Sequence, residues 1–337
     1  MNQNTSTTVD LETIKTIVTT LDLIPLIEEG FAAYSNGQSV VPPVGELQLD
    51  KGEVHIKYGF IESQQFYVIK IASGFYGNTE LGLSSSGGCI LVFSQETGQL
   101  VNVLLDGGHL TDTRTAVAGA IVAKHLAPKK VNRIGIVGTG IQALMQLNHL
   151  RNVVDCSDVL VWGRSPKSVQ EFLARVQTTE IAQEPGLQIC CADSIKTLQR
   201  QCNLIVTTTP SCEPLLAVEH LQPGTHITAV GSDMPEKQEL ESQILAQADI
   251  VVADSIEQCK TRGEIAHAMQ DGEFDNGDVI ELGDIIAGKK QGRTSDQQIT
   301  VADLTGVAVQ DIQIATAVAN SVAKSRTKAK PLKRNRE

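Results

Sequence analysis

Between Asp10 and Phe31 apolar residues recur at helical spacing: Leu11, Ile14, Ile17, Val18 and Leu21, then Ile24, Ile27 and Phe31. Asp22 is placed to cap the second of two helices, with Pro25 in its first turn. From Val40 to Leu105 the period shortens to two. The runs Glu46-Leu-Gln-Leu49, Val54-His-Ile-Lys-Tyr58, Phe66-Tyr-Val-Ile-Lys-Ile71, Cys89-Ile-Leu-Val-Phe93 and Leu100-Val-Asn-Val-Leu-Leu105 are separated by Gly, Ser and Asn. They predict a mostly antiparallel sheet. Thr111 to Leu126 is Ala-rich and helical, and stops before Pro128.

A strict strand–helix alternation follows. Strands are predicted at Arg133–Val137, Asp158–Trp162, Leu187–Ala192, Asn203–Thr208, His226–Val230 and Asp249–Ala253. Helical patterns lie between them, at Gln142–Asn152, Pro166–Val176, Ser194–Gln201 and Glu239–Ala246. Six strands with intervening helices predict a doubly wound α/β fold, a right-handed parallel sheet covered on both faces. A last helix, Gln310 to Lys324, is expected to return to the first domain. The organisation is therefore an α+β domain over 1–117 with 307–337, and a Rossmann domain over 118–306.

The sharpest motif is Ile134-Gly-Ile-Val-Gly138-Thr139-Gly140-Ile141-Gln142-Ala143. It follows a strand and opens a helix, as the GxGxxA dinucleotide fingerprint requires. Gly138 permits the tight turn, Gly140 lets backbone amides approach a pyrophosphate, and Ala143 allows close helix–strand packing. An NAD site usually carries an acid about 20 residues further on, bonded to the ribose. Here Gly163, Arg164 and Ser165 stand there. Arg164 can pair with a 2′-phosphate, Ser165 can donate to it and Lys167 can assist, which favours NADPH, with NADH as the other donor. Thr207, Thr208 and Thr209 end the fourth strand, and Val230 and Gly231 the fifth, where such folds cover the dinucleotide.

Charge narrows the partners. The chain of 337 residues has net charge −11, while the last fourteen carry seven Lys/Arg against one acid. The rest thus stands at −17, which argues against nucleic acid as a partner. No run of 18 apolar residues predicts a membrane span, and the start MNQNTSTTVDLE is unlike a secretory signal. Seven Cys form no CxxC or Cys/His cluster, so no metal is expected. They read as reduced, buried thiols of a cytoplasmic protein, Cys190 and Cys191 among them.

Cations interrupt apolar runs at Lys57 and Lys70, and Arg114 lies in Leu110-Thr-Asp-Thr-Arg-Thr-Ala116. A strand cation is usually a solvated, outward-facing group. Paired with Arg114, Lys70 would instead bind a carboxylate beside a nicotinamide. Asp233 follows the fifth strand in Gly231-Ser-Asp-Met-Pro-Glu-Lys-Gln-Glu-Leu240.

Val68-Ile-Lys70, Gly82-Leu-Ser-Ser-Ser-Gly87, Glu96-Thr-Gly98, Leu110-Thr-Asp-Thr-Arg114, Val137-Gly-Thr-Gly-Ile-Gln-Ala143, Ala229-Val-Gly-Ser-Asp233 and Gly306-Val-Ala-Val-Gln-Asp311 together resemble the ornithine cyclodeaminase/mu-crystallin family. The resemblance implies a substrate-binding and dimerisation domain beside a Rossmann domain, and a homodimer. It matches Lys70 and Arg114 to the family's carboxylate-binding and catalytic cations, and Asp233 to the acid that cyclodeaminases use. Two departures count. Val44 follows Pro42-Pro43 where the family often has Arg, and Gly163-Arg164 replaces the acid that keeps NAD. With His55-Ile-Lys-Tyr-Gly59, these point to the Δ1-pyrroline-2-carboxylate reductase branch. The expected reaction reduces a cyclic imino acid to L-proline or L-pipecolate. Lys57, Lys70 and Arg114 would bind substrate, and Lys70, Arg114 and Asp233 would serve catalysis. Rival readings are an ornithine cyclodeaminase holding NAD, and a non-enzymatic NADPH-binding protein.

Overall fold

A computed structural model describes residues 6–183, 186–275 and 279–329 of the chain. The last eight residues of the basic tail, 330–337, lie outside the described residues. The strands are β1 (Thr7–Val9), β2 (Ser39–Val40), β3 (Gly45–Leu49), β4 (Gly52–Ile61), β5 (Phe66–Gly74), β6 (Ser86–Ser94), β7 (Leu100–Leu104), β8 (Ile134–Val137), β9 (Asp158–Trp162), β10 (Gln188–Cys191), β11 (Leu204–Thr207), β12 (His226–Ala229), β13 (Ile250–Ala253), β14 (Val279–Glu281) and β15 (Thr300–Asp303). The helices are α1 (Leu11–Val18), α2 (Leu23–Ser35), α3 (His109–Leu126), α4 (Ile141–Leu150), α5 (Pro166–Val176), α6 (Ile195–Gln201), α7 (Ser242–Gln247), α8 (Ile256–Cys259), α9 (Gly263–Gln270), α10 (Leu282–Ile286) and α11 (Val309–Ala329). The chain divides into two units: Met1–Gly30, Gly37–Thr111 and Ala308–Glu337 form one, Phe31–Asn36 and Asp112–Val307 the other.

The first unit is built on a sheet in the order β1-β7-β6-β5-β4-β2, with β3 also paired to β4. Its pairs are antiparallel except β1 with β7. Asp10 caps α1, its carboxylate accepting from the Thr13 N–H at 2.8 Å. The predicted return of the last helix is present: α11 packs on β4, β5 and β6. Side chains alternate across β5, so Phe66, Val68 and Lys70 share the buried face.

The second unit carries a fully parallel sheet in the order β10-β9-β8-β11-β12-β15-β13-β14. The direction of winding reverses between β8 and β11, the place where open α/β sheets bind ligands at their carboxyl ends. Strands β8, β11, β12, β13 and β15 are buried throughout, as covered parallel strands must be. No described helix is long and apolar enough to cross a membrane.

Three expectations are corrected. The sheet has eight strands where the pattern yields six. β14 and β15 are only three and four residues long, and β15 follows a polar stretch that masks it. The helix expected from Glu239 begins at Ser242, because the amides of Glu239 and Leu240 bond the Glu264 carboxyl at 2.8 and 3.0 Å. The thiols are not uniformly buried: Cys156, Cys202 and Cys259 are, whereas Cys190, Cys191 and Cys212 are exposed. Cys190 and Cys191 sit on β10, the sheet's edge strand, where an apolar run is not covered by a second neighbour.

Candidate active site

In the second unit, β8 runs into the Gly138–Gly140 turn and α4. Gly138 has φ +121°, and a Cβ there would lie 2.5 Å from Thr208 Oγ1. The Thr208 hydroxyl in turn donates to the Val137 carbonyl at 3.1 Å, fastening the end of β11 to the turn. Gly140 is the N-cap of α4 and supplies no side-chain cap bond, and a Cβ there would meet nothing within 4 Å. The helix thus opens with amides that no cap side chain satisfies, beside open space: the cradle that a dinucleotide pyrophosphate requires. Ile141 is 52% exposed at this mouth. Gln142 faces elsewhere, donating to the Asp112 carbonyl at 3.0 Å and its carboxylate at 3.2 Å. The Thr139 carbonyl accepts from Arg175 of α5.

At the end of β9, Arg164 is exposed and Ser165 is the N-cap of α5. Ser165 Oγ accepts from the Ser168 N–H at 3.2 Å, which leaves its own proton for an incoming anion. Lys167 is exposed, 3.8 Å from Glu171.

The ends of β11 and β12 converge on a residue the sequence did not single out. Glu239 is fully buried. Its Oε1 accepts from the Thr209 N–H at 2.6 Å and the Thr209 hydroxyl at 2.8 Å. Its Oε2 accepts from the Thr207 hydroxyl at 2.7 Å and the Gly231 N–H at 2.8 Å. Thr207 therefore turns its side chain inward to Glu239. Burial pushes the Glu239 carboxyl up, with these donors opposing the shift. Glu264 lies behind it, accepting from Ser232, and is pushed up to about 8 by burial and by the Glu239 charge. Val230 is buried at the same edge. Asp233 is partly exposed and bound to Lys237, with Nζ 2.8 Å from Oδ1.

Arg114, in the first part of α3, is 4% exposed. In the first unit, Lys70 is 2% exposed and Lys57 7%. The two stand directly opposite each other in the β4–β5 register. Both face inward, against the usual habit of a strand cation. The Lys70 ammonium lies 3.1 Å from Asp311 Oδ2, in the first turn of α11. Asp311 is thus a further site candidate; its sequence signal was only its place at the end of the Gly306–Asp311 run. Asp106, after β7, is also buried, and burial with the Asp311 charge pushes its carboxyl up.

Residues 4–326 match the family model described as the ornithine cyclodeaminase/mu-crystallin family. The chain belongs to that family. An uncharacterized cyclodeaminase of Sinorhizobium fredii is 38% identical over 300 residues, 88% of this chain and 89% of its own length. A Δ1-pyrroline-2-carboxylate reductase of Bacillus cereus is 33% identical over 249 residues, 73% and 74% of the two chains. An archaeal alanine dehydrogenase dimer with bound NAD superimposes with TM-score 0.86 at 32% identity, covering 95% of this chain and 97% of that one. The Thermococcus litoralis Δ1-pyrroline-2-carboxylate reductase, in complex with NADH and L-proline, gives 0.87 at 25% identity over 95% and 98%. The iminosuccinate reductase of Paracoccus denitrificans with NAD+ gives 0.85 at 30% identity over 96% and 97%. The mixed α/β fold with its parallel sheet agrees with these NAD-bound neighbours.

Proposed function

We propose that the chain reduces cyclic imino acids with a nicotinamide coenzyme: Δ1-pyrroline-2-carboxylate to L-proline, and the six-membered Δ1-piperideine-2-carboxylate to L-pipecolate. The observation that carries this reading is Lys70, an ammonium turned into the body of its unit and ion-paired with Asp311 at 3.1 Å. The Gly138–Ala143 turn would hold the coenzyme, which would supply the hydride for the C=N carbon. The chain's own part is orientation and charge balance. Arg114 grips the substrate carboxylate through its planar fork. Lys70, with Lys57 beside it, adds a second cationic contact, and Lys70 Nζ holds the proton that passes to the imine nitrogen. Asp233 serves the developing iminium once its bond to Lys237 opens. Arg164 and Ser165 direct the preference to NADPH over NADH.

Asp233 also favours a second reading, the loss of ammonia from ornithine with bound NAD. Its engagement by Lys237, the Val44 that follows Pro43, and the absence of an acid at Arg164 weigh against it. A paired assay separates the two. Oxidation of NADPH by the five- and six-membered imines, with no ammonia from ornithine, is expected. Ammonia release without imine turnover would transfer the assignment to the cyclodeaminases. Turnover confined to iminosuccinate, or to pyruvate with ammonia, would place the substrate with the other relatives.

We also propose a cytoplasmic homodimer formed through the first unit's sheet, whose surface leaves Leu47, Leu49 and Val40 about half exposed. Light scattering should give twice the monomer mass at micromolar concentration. A stable monomer would overturn this.

A further inference from the structure

We infer that Glu239 is a positioning residue for the coenzyme, a clamp that sets the spacing between the chain segments leaving β11 and β12. The inference rests on the proposed nicotinamide-dependent activity and concerns how the binding edge is held. Glu239 lies eight residues beyond Gly231, in a stretch with no regular helix or strand, yet it is fully buried and accepts four hydrogen bonds. Three come from the end of β11, from Thr207 and Thr209, and one comes from Gly231, which leaves β12. These donors end two adjacent parallel strands next to the point where the winding reverses. Gly231 is packed so tightly that a Cβ there would run into the Thr209 backbone and lie 2.6 Å from Glu239 Oε2. The two strand ends therefore touch through this carboxyl and have no slack.

The chemistry selects a carboxyl group. Each oxygen receives one main-chain N–H, from Thr209 on Oε1 and from Gly231 on Oε2. A hydroxyl can rotate to accept, but a main-chain N–H cannot. An amide side chain has one oxygen and one NH2, so Gln at this position must set an N–H donor against another N–H and release one strand end. Glu264 holds the other side of the device, accepting from the Glu239 and Leu240 amides and so fixing where the Glu239 side chain starts.

The experiment compares wild-type chain, Glu239→Gln and Thr207→Val by fluorescence titration with NADH and NADPH, by steady-state kinetics and by thermal melting. Thr207 is fully buried and its hydroxyl donates to Glu239, so its substitution probes the coenzyme edge through that bond. Glu239→Gln should weaken both coenzymes at least tenfold. It should raise their KM, with kcat at saturating coenzyme within about threefold of wild type. Thr207→Val removes one of four bonds and should weaken both coenzymes about threefold. A lower melting temperature with unchanged coenzyme affinity in both variants would overturn the clamp and leave a purely structural residue. If Glu239→Gln does not fold, Thr207→Val decides: unchanged affinity there overturns the clamp. Wild-type chain that binds neither coenzyme would overturn the functional reading and the clamp together, whereas wild-type binding with indifferent variants would overturn the clamp alone.

Discussion

A lysine ammonium at 2% exposure is costly unless an anion accompanies it, and Asp311 is that anion for Lys70. Breaking a buried pair from one side leaves the other charge stranded, at about 3–5 kcal/mol. Asp311→Asn should therefore lower the melting temperature and cut kcat on cyclic imines at least about tenfold. Lys70→Met should remove kcat as well, because the proton source is gone. The double variant Lys70→Met with Asp311→Asn removes both charges of this pair, so it should recover much of the stability and none of the turnover. Recovery of turnover in the double variant, or a Lys70→Met change confined to KM, would show that Lys70 only binds. A second residue-scale expectation concerns coenzyme choice. A charge-assisted bond contributes roughly 1.5–3 kcal/mol, about 10- to 100-fold in affinity. Arg164→Ala should raise the KM for NADPH by such a factor and leave NADH nearly unchanged; equal effects on both would refute the role given to Arg164. The burial of Lys70 and Arg114 is unusual for cations and their apolar sequence surroundings already signalled it. Asp311 and Glu239 were not signalled in this way. A buried acid looks like a surface acid until the fold supplies its donors.

At the scale of elements, periodicity carried far where strands were long or fingerprints strict. The turn from β8 into α4 was legible because its glycines answer to steric demands, and the structure gives those demands a value. Gly138→Ala would place a Cβ 2.5 Å from Thr208 Oγ1 at a φ of +121°, a conformation that costs an L-residue of order 1–3 kcal/mol. The variant should melt several degrees lower and bind NADPH at least about tenfold more weakly, by fluorescence titration. Adding Thr208→Ala should relieve the contact but not the backbone strain, so only part of the loss should return. Full retention of affinity in the single variant would mean that the turn does not carry the coenzyme. Elements that depend on neighbours were less legible. β15 is inserted between β12 and β13 although it is last of the eight in sequence, and Thr300-Val-Ala-Asp303 has too few apolar residues to declare itself. The late start of α7 and the exposure of β10 follow from partners far along the chain: Glu264 for the first, the missing outer neighbour for the second.

Across the whole molecule, the buried ionisable groups determine how stability depends on pH, and their signs can be added. His226 is fully buried between the Thr300 and Thr228 hydroxyls, and burial with the nearby Arg293 charge lowers its pKa to about 3. In the unfolded chain it would titrate near 6.5, so below that pH the unfolded state binds the extra proton and stability falls as pH drops towards 3. Glu264 has the opposite sense. Its carboxyl is raised from 4.5 to about 8, so between those values the folded state holds a proton that the unfolded chain has lost. Stability then falls as pH rises through that window, by about 1.4 kcal/mol per pH unit for one fully shifted group. Burial raises Asp303, Glu239 and Asp106 in the same direction, so each contributes with the same sign. From pH 4.5 to 6.5 the His226 slope opposes the acids, and from 6.5 to 8 only the acids act. The melting temperature should therefore decline as pH rises from 6.5 towards 8. Glu264→Gln cannot ionise, and its NH2 group must face the Glu239 or the Leu240 amide, so it also lowers absolute stability. It should flatten the decline between pH 6.5 and 8 relative to wild type. A variant whose melting profile fell as steeply as wild type over that range would show that Glu264 does not hold its proton in the folded chain.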